Sequence, residues 1–315
     1  MGNAIGRLAW LWRNRHRRRL RGPTRADGDG RVADPRLDSL RPGSDLPEGS
    51  TPFVLVTGAS RGIGREIARE FARRGFPLAL VARAPDRLAE TAAAIAREHG
   101  KEPLVVAADL ATVEGLDRVE AAIAAAGGHV DILVNNAAIG LAGPFAEDPP
   151  AAIRRLVDLD VRALADLMAR FLPGMIARGE GGILNVASLA GLVPGPNQAA
   201  YYAAKAFVVS LTEAVASETA GLGIRVAAVL PGPVDTGFHR RMGAEGSYYL
   251  PLFGRADPAR VARAAVRGFF WGRTLIVPGV LDHLYWIALR FTPHPIAVPL
   301  IGWMLKKRRA DDHDL

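Results

Sequence analysis

The chain of 315 residues contains no cysteine. That excludes disulfides, thiolate metal sites and cysteine nucleophiles, and it fits a reducing compartment. Its seven histidines are scattered, with no pair at metal-ligand spacing, so no metal site is expected. The most apolar stretch, Val280 to Leu305, is interrupted by Asp282, Arg290, Pro293, Pro295 and Pro299. It is not the run of about 20 apolar residues that a membrane-spanning helix needs. Acid is missing from the first 25 residues, where Arg7, Arg13, Arg15, Arg17, Arg18, Arg19, Arg21 and Arg25 stand. Those eight account for the whole excess of 40 basic over 32 acidic residues. The rest of the chain is balanced, which argues against a nucleic-acid-binding body despite the net charge of +8.

What is present divides the chain into three. Residues 1–51 read as a basic tail and linker. Ile5, Leu8 and Trp12 share a helical face ahead of the arginines, which suits either a short helix on an anionic membrane or a solvated tail. A secretory signal is disfavoured, because the short apolar part precedes the charges. Residues 22–51 are rich in Gly, Pro, Asp and Ser. From 52 to 278, short apolar runs alternate with helical patterns. Strands are expected at Phe53–Val56, Pro77–Ala82, Pro103–Ala107, Asp131–Val134, Gly182–Ala187, Ile224–Val229 and Thr274–Val277. Helices are expected near 65–72, 86–98, 113–126, 151–177, 199–220 and 258–270. This alternation predicts an α/β fold: one doubly wound, Rossmann-like domain with a parallel seven-stranded sheet. Residues 279–315 form an apolar C-terminal extension.

The stretch Thr57-Gly58-Ala59-Ser60-Arg61-Gly62-Ile63-Gly64 lies between the first strand and its helix. Glycines let the backbone approach a pyrophosphate there, and the helix start offers free N–H donors to the anion. The spacing Gly-x-x-x-Gly-x-Gly, with Thr57 in front, resembles the coenzyme loop of the short-chain dehydrogenase/reductase family. Later motifs extend the resemblance over roughly residues 52 to 278, each at or just after the C-terminal end of a strand, where ligands of such sheets bind.

Arg83 follows the second strand, where the adenosine ribose is expected. An arginine there suits a 2′-phosphate and an acid a 2′-hydroxyl, and Arg61 adds a second cation. In the family this combination goes with NADP(H) over NAD(H). Asp109 and Leu110, after the third strand, match the family's adenine contact, and Asp109 could equally cap the next helix. Asn135-Asn136-Ala137-Ala138 resembles Asn-Asn-Ala-Gly, with Ala138 for the glycine. Asn136 could contact coenzyme or tie strands together. Pro231-Gly232-Pro233-Val234-Asp235-Thr236 resembles the family's Pro-Gly-x-x-x-Thr around the carboxamide and phosphate, which implicates Pro231, Gly232, Val234 and Thr236.

Ser188 follows the fifth strand, and Tyr201 and Lys205 lie four apart on one face of the next helix. The resemblance implies that these three are catalytic, and that Tyr201 and Lys205 also touch coenzyme. Reducing a ketone by hydride requires a proton, and a free phenol with a pKa near ~10 donates reluctantly. A neighbouring ammonium is expected to bring that value down, with Ser188 hydrogen-bonding the substrate oxygen. Tyr202 is expected to pack elsewhere. Asp160 falls where many family members have an asparagine that anchors a relay water.

Residues Gly237 to Arg255, with Phe238, Tyr248, Tyr249 and Phe253, match the family's substrate lid. Ile139, Leu141, Phe145, Leu189, Leu192 and Val193 suggest a hydrophobic substrate. In the tail, Val280, Leu284, Ile287 and Phe291 share a helical face, and Lys306-Lys307-Arg308-Arg309 follows. That segment could lie in a membrane interface, cover the pocket or meet a partner subunit. The expectation is a cytoplasmic enzyme, either free or peripheral at an anionic membrane through its termini, with the family's oligomer helices present. It interconverts a carbonyl and a secondary alcohol. A weakly catalytic coenzyme-binding sensor or scaffold at a membrane is the alternative, favoured by Asp160 and Ala138.

Overall fold

The computed structural model describes residues 49–250 and 254–306; the basic tail and Phe253 lie outside them. The chain runs β1 (Thr51–Thr57), α1 (Gly62–Ala72), β2 (Leu78–Ala82), α2 (Pro85–His99), β3 (Leu104–Ala107), α3 (Val113–Ala125) and β4 (Gly128–Asn135). It continues through α4 (Pro150–Val157), α5 (Ala163–Arg178), β5 (Gly181–Val186), α6 (Ala199–Glu218), β6 (Ile224–Val229), α7 (Phe238–Arg241), α8 (Pro258–Phe270) and β7 (Leu275–Ile276). Two further helices, α9 (Val280–Phe291) and α10 (His294–Leu305), complete it. All seven strands are parallel, in the order β3-β2-β1-β4-β5-β6-β7. The order reverses beside β1 and β4, which opens a crevice at their C-terminal ends.

Alternation along each strand feeds two cores. Val54 and Val56 face one layer, with Ile67 and Phe71 of α1, Leu88 of α2 and Phe269 of α8. Phe53 and Leu55 face the other, with Leu116 of α3, Leu167 of α5 and Val208 of α6. Both sheet faces are therefore covered, which is why the strands read as continuous apolar runs. Thr112, not Asp109, caps α3, accepting from the Gly115 N–H at 3.0 Å.

Two local departures matter for the site. The helix expected at 151–177 contains a π-turn at Asp158–Arg162, one residue wider per turn, between α4 and α5. Among the described residues of the tail, only the step at Thr292-Pro293 breaks the helix. Pro295 sits in the first turn of α10, where its missing N–H costs nothing, and Pro299 is accommodated inside the helix. Among the described residues no helix is long and apolar enough to cross a membrane.

Candidate active site

A cleft of about 730 Å³ opens at the C-terminal ends of the strands. Gly58, Ser60, Arg61, Gly62 and Ile63 line one end. Gly58 and Gly62 have φ of +65° and +57°, the region that favours glycine. A Cβ on Gly58 would lie 2.9 Å from the Ala137 Cα, so the loop and the β4 terminus meet at a distance no side chain permits. Thr57 and Gly64 stand behind this surface. Thr57 is buried, and its hydroxyl donates to the Val134 carbonyl at 3.1 Å while accepting from the Asn136 and Ala137 N–H groups at 2.9 and 3.1 Å. Asn136 ties the end of β4 to β1 and the glycine loop, its amide donating to the Thr57 and Gly58 carbonyls, and it also lines the cleft.

Arg83 and Leu110 line the same end. Partial burial, then the nearby charges of Arg87 and Arg83, depress the Arg61 pKa. Arg241 of α7, which local sequence reading missed, faces Arg61 and Arg87 and lines the cleft too. Four guanidinium groups thus crowd one pole. Asp109 does not reach the cleft surface; Arg155 holds its carboxylate at 2.6 and 2.8 Å. Pro231, Gly232, Val234 and Thr236 line the cleft after β6, and Ala137 and Ala138 do so after β4.

Ser188, Tyr201 and Lys205 meet on one wall. A buried polar ladder sets α6 against the sheet: Asn135 donates to Asn185 at 3.0 Å, and Asn185 to Thr212 at 2.9 Å. Thr212 is seven residues beyond Lys205, on the same helical face. Gly191 lets the turn after Ser188 press on α6, since a Cβ there would lie 2.6 Å from the Lys205 carbonyl. The Ser188 hydroxyl hydrogen-bonds the Tyr201 phenol, and the Lys205 ammonium sits 5.7 Å from the centre of the Tyr201 ring. Lys205 is buried and donates to the Val186 carbonyl at 3.2 Å.

Asp160 is also buried here, delivered by the π-turn. One carboxylate oxygen accepts from the Ile139 N–H at 2.8 Å, and the other has the Lys205 ammonium 3.5 Å away. Burial raises its pKa to about 6, with Lys205 pulling the other way. The consequence for Tyr201 is opposite to that expected from the lysine alone. Burial, then the Asp160 carboxylate, push the phenol well up, and the Ser188 hydrogen bond offsets this only in part. The carboxylate beside Lys205 offsets the field that would have favoured a phenolate.

The roof comes from α7, the chain after it and the C-terminal helices. Phe238 lies 5.6 Å from the Tyr201 ring, and the Tyr249 hydroxyl hydrogen-bonds the His239 ring at 2.8 Å. Burial, then Arg255, lower the His239 pKa to about 4. Tyr202 packs, as expected, against Ala297, Ile301 and Leu305 beneath the C-terminal helices, and because those helices roof that side of α6 it also lines the cleft. Tyr285 and Asp282 of α9 and Ile301, Met304 and Leu305 of α10 close the cleft. Asp282 accepts from the Gly232 and Gly279 N–H groups, tying α9 to the loop after β6. Ile139 and Leu189 reach the cleft; Leu141, Phe145, Leu192 and Val193 do not. Phe238 and Tyr249 fall in the stretch matched to the family's lid, whereas Asp282, Tyr285, Ile301, Met304 and Leu305 carry no local motif and are brought in by the tertiary structure.

A family model described as short chain dehydrogenase matches residues 52–246. The very-long-chain 3-oxoacyl-CoA reductase of Anas platyrhynchos is 32% identical over 226 residues, covering 70% of each chain. A short-chain dehydrogenase from Sphingobium yanoikuyae, solved in complex with NADPH, is 34% identical with a TM-score of 0.69, over 84% of this chain and 99% of that one. The bulky-bulky ketone specific alcohol dehydrogenase from Comamonas testosteroni is 31% identical with a TM-score of 0.66, over 83% and 96%.

Proposed function

The chain belongs to the short-chain dehydrogenase family and is a nicotinamide-dependent oxidoreductase, and on that premise we propose that it reduces a bulky apolar ketone to a secondary alcohol with NADPH. The observation that carries this reading is the meeting of Ser188, Tyr201 and Lys205 on one wall of a cleft roofed by apolar side chains. The glycine loop, Asn136, Thr236 and the arginine group suit a dinucleotide with a 2′-phosphate, since the loop approaches closely and the cations gather at one pole. Bound there, the coenzyme supplies the hydride.

The protein's own residues handle the proton and the position. Ser188 donates a hydrogen bond to the carbonyl oxygen and orients it. Tyr201 donates the proton that converts the developing alkoxide to an alcohol. Burial and Asp160 keep the phenol in the protonated form that reduction needs, while the same raised pKa makes it a weaker donor than a free phenol, so the proton moves only as the alkoxide develops. Lys205 holds a positive charge beside the tyrosine left behind and helps seat the coenzyme ribose. The roof of Phe238, Tyr285, Ile301 and Met304 excludes water and selects an apolar flank on the substrate. The relatives named for 3-oxoacyl and bulky-ketone substrates support that class.

The test is oxidation of NADPH and of NADH with ketones and 3-oxoacyl thioesters of graded chain length. Turnover that rises with chain length and prefers NADPH is expected. Tight coenzyme binding without oxidation for any substrate would favour a coenzyme-binding sensor, the reading on whose side the buried Asp160 stands.

A further inference from the structure

The C-terminal helices are amphipathic in the reverse sense. A helix on a globular body normally turns its apolar stripe inward. Here Val280, Leu284, Ile287 and Phe291, spaced to share one face of α9, are 81%, 60%, 46% and 78% exposed. The stripe Ile296, Leu300 and Trp303 of α10 is 62%, 54% and 54% exposed. The opposite sides meet the body. Asp282, Tyr285, Ile301, Met304 and Leu305 line the cleft, and Leu289 packs with Ala297 and Ile301. The outward stripes are not frayed ends: the Asn197 amide donates to the Gly302 carbonyl at 3.1 Å and Ser247 to the Leu305 carbonyl at 3.2 Å.

We propose that this outward apolar face docks on the surface of an anionic phospholipid bilayer. Charge argues for that occupant. From Val280 to Leu305 the single acid is Asp282, and it is turned inward onto the Gly232 and Gly279 N–H groups. The chain leaves α10 directly into Lys306-Lys307-Arg308-Arg309, ahead of any acid, and eight arginines without an acid stand in the first 25 residues. Apolar side chains flanked by a basic cluster are the chemistry of an interfacial anchor: the first enter the acyl boundary, the second pair with headgroup phosphates. Because the same two helices wall the cleft on their inner side, the bilayer surface lies about one helix diameter, ~10 Å, from it. An apolar substrate dissolved in the bilayer then reaches the cleft without crossing bulk water. This last consequence rests on the proposed function; the docking itself does not.

The experiment is co-sedimentation of the full chain with vesicles of phosphatidylcholine containing one third phosphatidylglycerol, and with phosphatidylcholine alone. Wild type should partition to the anionic vesicles, more weakly at high salt. Leu284→Glu and Leu300→Glu, one outward position on each helix and neither lining the cleft, should each lower that partition at least tenfold. Both should keep the wild-type turnover of a water-soluble ketone and the wild-type melting profile. Tyr201→Phe should bind vesicles like wild type, so a failed catalytic reading leaves this test intact. Unchanged partition of both glutamate variants would overturn the proposal, as would equal binding to phosphatidylcholine alone. So would a wild-type dimer that ignores vesicles and is split by Leu284→Glu, since the face would then belong to a second copy of the chain.

Discussion

Removing the Arg83 guanidinium should change coenzyme choice. Arg83 is exposed at the end of β2 and lines the cleft beside Arg61, with Arg87 and Arg241 close by. Their mutual repulsion already depresses Arg61 and Arg241, after the contribution of burial. A dianionic 2′-phosphate relieves that repulsion, and a ribose hydroxyl does not. A hydrogen bond to a charged group contributes about 1.5–3 kcal/mol, or about ten- to a hundredfold in dissociation constant. Solvent screens Arg83, and three cations remain after its removal, so the lower end applies. Arg83→Ala should therefore weaken NADPH about tenfold and leave NADH within about twofold. Titration of each coenzyme by fluorescence, at two ionic strengths, reads this directly. NADPH affinity should also fall more steeply with salt than NADH affinity. Equal weakening of both coenzymes, or of neither, would refute the assignment of this pole to a phosphate.

Two further predictions address the scaffold. The folded pKa of Asp160, about 6, lies above its ordinary 3.8, so the folded state holds that proton longer than the unfolded chain. The stability so contributed is complete below about pH 4 and is lost as pH rises through about 6, an effect of roughly 3 kcal/mol. Asp160→Asn keeps an acceptor for the Ile139 N–H and should flatten that part of the profile in denaturant melts between about pH 4 and 7; parallel profiles would contradict the burial of a titrating carboxyl. Phe269 is fully buried, and its Cζ would lie 2.4 Å from a Cβ on Gly182. Phe269→Ala should cost about 3–5 kcal/mol in a urea melt, and a loss below about 1 kcal/mol would show that the α8 layer packs otherwise.

Much of the fold was legible because its signals are local. Seven apolar runs bounded by turn residues gave seven parallel strands, shifted at their ends: β4 begins at Gly128 rather than Asp131, and β7 keeps only Leu275 and Ile276. The glycine loop, Asn136, Ser188, Tyr201 and Lys205 were legible as spaced motifs on adjacent elements. What was not legible depends on distant contacts. Arg241 joins the cationic pole only because α7 folds back over the glycine loop. Asp282 reaches Gly232 across 50 positions of sequence. The periodicity of α9 identified an apolar face without saying which way it turns, because a stripe facing a core and a stripe facing outward have the same spacing. The phenol of Tyr201 was misjudged for a similar reason: the lysine one turn away is visible in sequence, and the Asp160 carboxylate beside that lysine is brought in by a different helix.

In the proposed reaction the Tyr201 hydroxyl delivers the proton. The most direct test of that role is coenzyme oxidation by Tyr201→Phe beside wild type, on whichever graded ketone wild type reduces, with NADPH affinity measured on the same samples. Phenylalanine keeps the ring against Phe238 and Lys205 and removes only the proton donor. Turnover should fall about a hundred- to ten-thousandfold, with NADPH affinity within about twofold of wild type. Turnover within about tenfold of wild type, or a parallel collapse of NADPH binding, would contradict that role.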